Sequence, residues 1–305
     1  MAIFNRLIVG LDFTQMDDTL LRYTNMLVQQ AKPQRVYFFY VTDQPVLPDV
    51  LTPAYGDSDE PVDEIIHKEM QKRIKEVLAQ PGTTEVHTEV HMGEVTKALL
   101  EWSDTKHIDL ILLGNKKGKE PRHANFRHII NRSHCSVLIV PEDAPARISK
   151  VFVPVDFSAI SEHSLLKAKE LADASGGRVN MQNVYTVPMG YHSSGKSYEE
   201  FAEIMRKHAA EDSKKFVKDT GIDPDSIDYV YTLDDDSDPV DKIYKEAHEH
   251  DSDLVVMGSK GRSFAASLLL GSVSCRMAEY DKIIPLLIVK DKDDNLSFVE
   301  ALMRL

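Results

Sequence analysis

Cysteine is nearly missing from this chain. Of 305 residues only Cys135 and Cys275 carry a thiol, which excludes a disulfide framework and points to a reducing compartment. Long apolar runs are missing too. None approaches the roughly 20 residues that cross a bilayer, and Met1 to Leu11 leads straight into a strand-like run without the regions of a signal peptide. A cytoplasmic protein with no membrane partner is the expectation. Positive charge is in deficit: 36 basic against 49 acidic side chains, a formal charge of −13. Such a surface repels nucleic acid over its average area, although backbone amides can still build a local anion site.

Several catalytic signatures are also lacking. There is no Gly-x-Gly-x-x-Gly fingerprint, no pair of carboxylates set for acid–base work, and no nucleophile elbow. Gly114-Asn-Lys-Lys-Gly118-Lys119 falls short of a Walker A loop, because its glycines stand too close and Glu120 replaces Ser/Thr. His123, His128, His134 and Cys135 match no zinc spacing. Asp234-Asp235-Asp236-Ser237-Asp238 reads as a solvated loop capping the next helix rather than a cation site.

What is present is a repeat. Arg6-Leu-Ile-Val-Gly-Leu-Asp12-Phe13-Thr14 returns as Lys150-Val-Phe-Val-Pro-Val-Asp156-Phe157-Ser158, and Asp109-Leu-Ile-Leu-Leu-Gly114 returns as Asp253-Leu-Val-Val-Met-Gly258, both offset by about 144 residues. A period of that length means duplicated domains, with a boundary near Pro145. Domains over 1–145 and 146–290 follow, with 291–305 as a tail whose Phe298, Leu302 and Leu305 share a helical face. A composition 42% hydrophobic allows each half an ordinary core.

Each half alternates short apolar runs with amphipathic stretches, the mark of an α/β fold with a parallel sheet. The first half predicts strands over 7–11, 36–41, 85–92, 109–113 and 137–140, with helices over 17–30, 62–78 and 95–102. The second predicts strands over 151–155, 179–185, 227–233, 254–257 and 286–289, with helices over 160–175, 198–218, 239–247 and 274–280. Glu85 to Met92 alternates, with Glu85, His87, Glu89 and His91 on a solvated face, so it belongs near a sheet edge. Gly176 and Gly177 read as a helix stop.

The stretch from Met257 to Ser274 carries the chemistry. A strand runs into Gly258-Ser259-Lys260-Gly261, then Gly271-Ser272-Val273-Ser274 enters a helix. Glycines let backbone N–H groups approach oxyanions, and a helix start adds partial positive charge. Ser272 and Ser274 offer hydroxyl donors. This Gly-x2-Gly-x9-Gly-Ser pattern resembles the nucleotide loop of the universal stress protein family, and the whole chain resembles a tandem member. The resemblance implies two flavodoxin-like or Rossmann-like domains, each with a mainly parallel five-stranded sheet flanked by helices. It implies ATP as ligand, with magnesium accompanying the triphosphate. It also implies that the last strands pair as an intramolecular pseudo-dimer, with a homodimer as the further assembly open to it. By the same resemblance Pro154, Val155 and Asp156 would meet the nucleoside, Val184 would line the adenine, and Met257, Gly258, Lys260, Gly261, Gly271, Ser272, Val273 and Ser274 would form the phosphate loop.

The first half departs from this pattern. Its segment from Gly118 to Val137 is about six residues shorter than that from Gly261 to Leu286, and it lacks the later Gly-Ser. Parts that are missing cannot cradle phosphate, so nucleotide is expected in the second half alone. Asp12 is retained, and it reads as a capping residue. The basic residues Lys116, Lys117, Lys119, Arg122, Arg127 and Arg132 read as a solvated face. The expected protein is an ATP-binding stress-response module acting on a protein partner, and not an enzyme; slow hydrolysis or self-phosphorylation at Ser272 or Ser274 is the most chemistry the loop would support. The alternative is a scaffold that works through protein contacts without nucleotide.

Overall fold

A computed structural model describes residues 3–78, 80–116, 126–259, 272–280 and 283–290. The chain separates into two compact units, one running to Arg147 and the other beginning at Ile148 and taking in Leu286–Lys290. The first unit holds β1 (Arg6–Leu11), α1 (Met16–Ala31), β2 (Arg35–Thr42), α2 (Thr52–Tyr55), α3 (Val62–Val77), β3 (Glu85–Met92), α4 (Val95–Thr105), β4 (Leu110–Asn115), α5 (Phe126–Arg132) and β5 (Ser136–Pro141). Its strands lie in the order β3-β2-β1-β4-β5, all parallel. The second unit holds β6 (Lys150–Pro154), α6 (Ala159–Ser175), β7 (Arg178–Tyr185), α7 (Tyr198–Asp219), β8 (Ile227–Leu233), α8 (Pro239–Glu249), β9 (Leu254–Gly258), α9 (Ser272–Glu279) and β10 (Leu286–Val289). Its order is β8-β7-β6-β9-β10, again parallel.

The cores sit where the apolar runs predicted them. Leu7, Ile8 and Val9 are sealed between β2 and β4, and Val151, Phe152 and Val153 between β7 and β9. A strand covered on both faces cannot alternate, which is why these read as continuous hydrophobic runs. Each unit changes winding direction between its first and fourth strands. In open α/β sheets that switch opens a crevice beyond the carboxyl ends of the strands.

Local devices recur at matching positions. Asp109 Oδ2 accepts from the N–H groups of Asn5 and Arg6, both at 2.8 Å. Asp253 Oδ2 accepts from Ser149 N (3.0 Å), Lys150 N (3.1 Å) and Ser149 Oγ (2.6 Å). An acid before the fourth strand thus ties down the start of the first. Gly176 ends α6 in the left-handed region, φ 67°, as its sequence context predicted.

Two expectations change. The histidine face of β3 is not simply solvated: His87 stacks on Tyr37 and His91 on Phe39, with Trp102 of α4 packed against both partners. On the opposite face Met92 is 56% exposed. The strand does form the edge of its sheet, hydrogen-bonded to β2 and open along its outer side. The short helices α2 and α5 were not expected, since neither spans enough turns to show a period. The tail over 291–305 lies outside the described residues.

Candidate functional site

The crevice of the second unit is built from three neighbouring strand ends. β6 and β9 run side by side, Phe152 level with Val255, and β7 flanks β6 with Gln182 level with Pro154. The chain leaves β6 through Pro154, Val155 and Asp156, leaves β7 near Val184, and leaves β9 through Met257, Gly258 and Ser259. Residues far apart in sequence therefore open on one edge. Lys260, Gly261 and Gly271 lie outside the described residues. The chain re-enters at Ser272, where α9 starts.

Each described residue has a definite setting. Val155 is buried; its N–H donates to Gln182 O at 2.8 Å, and its carbonyl accepts from Asn183 Nδ2 at 3.0 Å. Val184 is half-buried and Pro154 partly exposed, so both reach the surface of the crevice. Asp156 is also partly exposed. Its Oδ1 accepts from Ser158 N (3.1 Å), Ser158 Oγ (2.6 Å) and Ser161 Oγ (2.6 Å). Ser158 is the N-cap of α6.

Two loop residues have structural work in addition. A Cβ on Gly258 would stand 2.7 Å from Ile160 Cγ1 and 2.8 Å from its Cγ2. The glycine is thus required for close approach of α6 to the strand end, whatever the loop binds. Gly114 holds the matching place under Met16, which explains why it persists beside an altered loop. Ser274, 4% exposed, donates its hydroxyl to Gly258 O at 2.7 Å. Its proton is spent on the strand end, so what Ser274 offers an anion is its first-turn backbone N–H group. Met257 is buried and Val273 half-buried.

The corresponding crevice of the first unit is arranged differently. Asp12 Oδ1 holds Thr14, by Oγ1 at 2.6 Å and N at 3.2 Å, and its Oδ2 is bridged to Lys116 at the end of β4. Asp12 stabilises a turn rather than capping α1, whose N-cap is Gln15. Lys116 is drawn out of the expected solvated face; Arg127 and Arg132 are exposed, and Lys117, Lys119 and Arg122 lie outside the described residues. Asp17 takes up the N–H groups of Asp12 (3.0 Å) and Phe13 (2.8 Å). The acidic loop of the second unit does cap its helix: Asp238 accepts from Asp241 N at 3.3 Å and is held by Arg276 at 2.9 and 3.0 Å.

The sequence by itself does not name the partners of Asp156. The spacing Asp156-x-Ser158-x-x-Ser161 was the available signal, since a loop serine and a first-turn serine can both reach back to a strand-end carboxylate. Asn183 gave no signal, because its partner is a backbone carbonyl on another strand.

A profile of the universal stress protein family matches this chain twice, over residues 4–141 and 147–290. Universal stress protein MJ0577 of Methanocaldococcus jannaschii is 28% identical over 162 residues, covering 47% of this chain and 96% of that protein. Two solved structures align along nearly the whole length. PA1789 of Pseudomonas aeruginosa PAO1, described as functionally unknown, has a TM-score of 0.67 at 11% identity and covers 99% of this chain and 98% of its own. A universal stress protein of Archaeoglobus fulgidus DSM 4304 has a TM-score of 0.63 at 16% identity, covering 95% and 97%. At such identities the likeness concerns the fold alone.

Proposed function

The chain belongs to the universal stress protein family through both of its halves, and from that premise we propose that the second half binds ATP as a regulatory module while the first does not. The observation that carries this is the convergence, on one crevice, of the β6, β7 and β9 ends with the start of α9, in a chain that spells Gly258-x2-Gly261-x9-Gly271-Ser272. The described residues fit a nucleotide. Val184 offers an apolar contact, Asp156 an acceptor for hydroxyls, and the N–H groups at Ser272–Ser274 partial positive charge for an anion. Magnesium would arrive with the triphosphate and neutralise part of its charge. The protein holds ATP rather than turning it over, in the cytoplasm, and passes the bound state to a protein partner.

The test is calorimetry with ATP and magnesium on the whole chain, with Gly271→Asp alongside. One site per chain, lost in the variant, is the expected result, since a carboxylate in the loop would repel phosphate and crowd its approach. Two sites would show that the first half binds as well. A second reading has one observation in its favour: Gly258 and Ser274 both have packing or bonding roles that need no ligand. On that reading the chain is a scaffold, and a folded wild type that takes up no ATP would establish it.

A further inference from the structure

β3 is the outermost strand of the first unit's sheet, and its outer side is long and regular. It runs for 8 residues, Glu85–Met92, without proline, lysine or glycine. Its parallel register with β2 is unbroken from Glu85 to Met92. Sheet edges are usually blunted by proline, lysine, bulges or shortness, and β3 has none of these. Glu85 N donates to Gln34 O at 2.9 Å and Gly93 N to Thr42 O at 2.8 Å. Odd-numbered residues therefore turn their backbone groups toward β2, and Val86, Thr88 and Val90 turn theirs outward. Those outward groups have no partner among the described residues.

The run Glu85-Val-His-Thr88-Glu-Val-His91 is its own complement when reversed. Set antiparallel to a second copy about Thr88, Val86 meets Val90 and Thr88 meets Thr88, each pair with N–H and C=O facing. Between them His87 meets Glu89, and Glu85 meets His91. These are the non-hydrogen-bonded positions, where opposed Cα atoms stand about 4.5 Å apart and side chains come closest. An imidazole N–H can donate to a carboxylate, and a protonated ring adds charge. Glu89 is half-buried and has no side-chain hydrogen bond or ion pair among the described residues, so it is open to that donor. Glu85 is already bonded to Arg35 at 2.6 Å, which leaves the discrimination to His87 and Glu89. The neighbouring registers that keep outward groups matched are shifted by two residues. One sets Glu89 against Glu89, the other Glu85 against Glu89, and like charges directly opposite destabilise. The edge strand of the second unit, β8, has Asp228 as its one charged residue and carries no such pattern.

We infer that β3 is a pairing surface for a second copy of this chain, joined antiparallel about Thr88 across a two-fold axis. Such an interface uses the same patch on both copies and closes at two. A single strand edge is a small interface, so the dimer is weak and depends on concentration. The inference stands apart from the ATP reading.

Sedimentation equilibrium of the full chain tests it, with circular dichroism to confirm that each variant folds. The wild-type mass should rise from one chain toward two across roughly the micromolar range. Val90→Pro removes an outward N–H that the single chain does not use and sets a ring in the path of the second copy. Dimerisation should weaken by about tenfold or more. Glu89→Lys and His87→Glu should each weaken it about fivefold, by setting like charges opposite one another. Mixed in equal amounts, these two variants should recover wild-type affinity. The new lysine of one copy then faces the new carboxylate of the other, and the remaining His87 faces the remaining Glu89. A dimer that Val90→Pro leaves intact overturns the inference, as does a mixture that pairs no better than either variant alone. Where Val90→Pro does not fold, the charge variants and their mixture decide. A wild type that stays monomeric throughout also overturns it; if removal of residues 291–305 then permits pairing, that segment is the occupant of the edge.

Discussion

Asp17 is 1% exposed, yet it carries a carboxyl group. Burial is the largest influence on it and, with the nearby charge of Asp12, pushes its pKa up to about 7; the N–H groups of Asp12 and Phe13, and Arg73 at 3.6 Å, pull the other way. The Arg73 guanidinium also lies over the Phe13 ring, and Phe13 is held at φ 58°. A raised carboxyl pKa means that the folded state holds its proton more tightly than the unfolded one. The resulting stabilisation is full below the unfolded value near 3.8 and is lost as pH rises toward about 7. We predict that thermal unfolding of the wild type shows a fall in midpoint between pH 4.5 and pH 8 that is absent in Asp17→Ser, which carries the residue of the second half. Equal slopes in the two proteins would refute a titrating Asp17. Nothing in the sequence separates Asp17 from the exposed Asp18 beside it. Both stand in the first turn of a helix, where acids are favoured by the partial positive charge, and only packing decides which one is sealed.

At the scale of elements, joints between strands and helices carry the strain. Ile160 is β-branched and has few rotamers in a helix, so it cannot swing away from a new Cβ at Gly258. Gly258→Ala should cost about 1–3 kcal/mol in chemical denaturation, with or without nucleotide; a neutral result would show that α6 is free to shift. Asp253 is a second joint. Replacing it by Ala strands the N–H groups of Ser149 and Lys150, and should cost on the order of 3 kcal/mol. The element pattern was readable because period and apolar content follow from backbone geometry. What fills the space between elements was not. Against Trp102 of α4 the first unit packs Phe39, which stacks with His91. At the matching places of the second unit Gln182 Nε2 donates to Thr232 Oγ1 at 2.9 Å, and Thr232 donates to Glu246 at 3.0 Å. Gln182 Oε1 is buried with no partner among the described residues. Two sequences thus build one joint, one from rings and one from hydrogen bonds, and alternation along a strand does not distinguish them.

For the whole molecule, the duplication gives two copies of one fold, of which the second alone spells Gly-x2-Gly-x9-Gly-Ser. Ligand that binds only the native second unit stabilises that unit, by about 2.7 kcal/mol at a hundredfold excess over Kd. Hydrogen exchange on the full chain with ATP should therefore slow in peptides that hold the ends of β6, β7 and β9 and the start of α9, and stay unchanged in β1, β2 and β4. Slowing in both units would contradict a single site. Sequence by itself determined that there are two α/β domains, where their strands lie, and which half keeps the glycine spacing, because these depend on local periods, backbone conformation and the count of residues in a loop. It did not determine the partners of Asp156, the ion pair between Asp12 and Lys116, the burial of Asp17 or the contact that keeps Gly258 a glycine. Each of those joins groups brought together by parallel strands and their crossover helices, and whether a polar group ends up sealed, bonded or open to a ligand is settled only when those neighbours arrive.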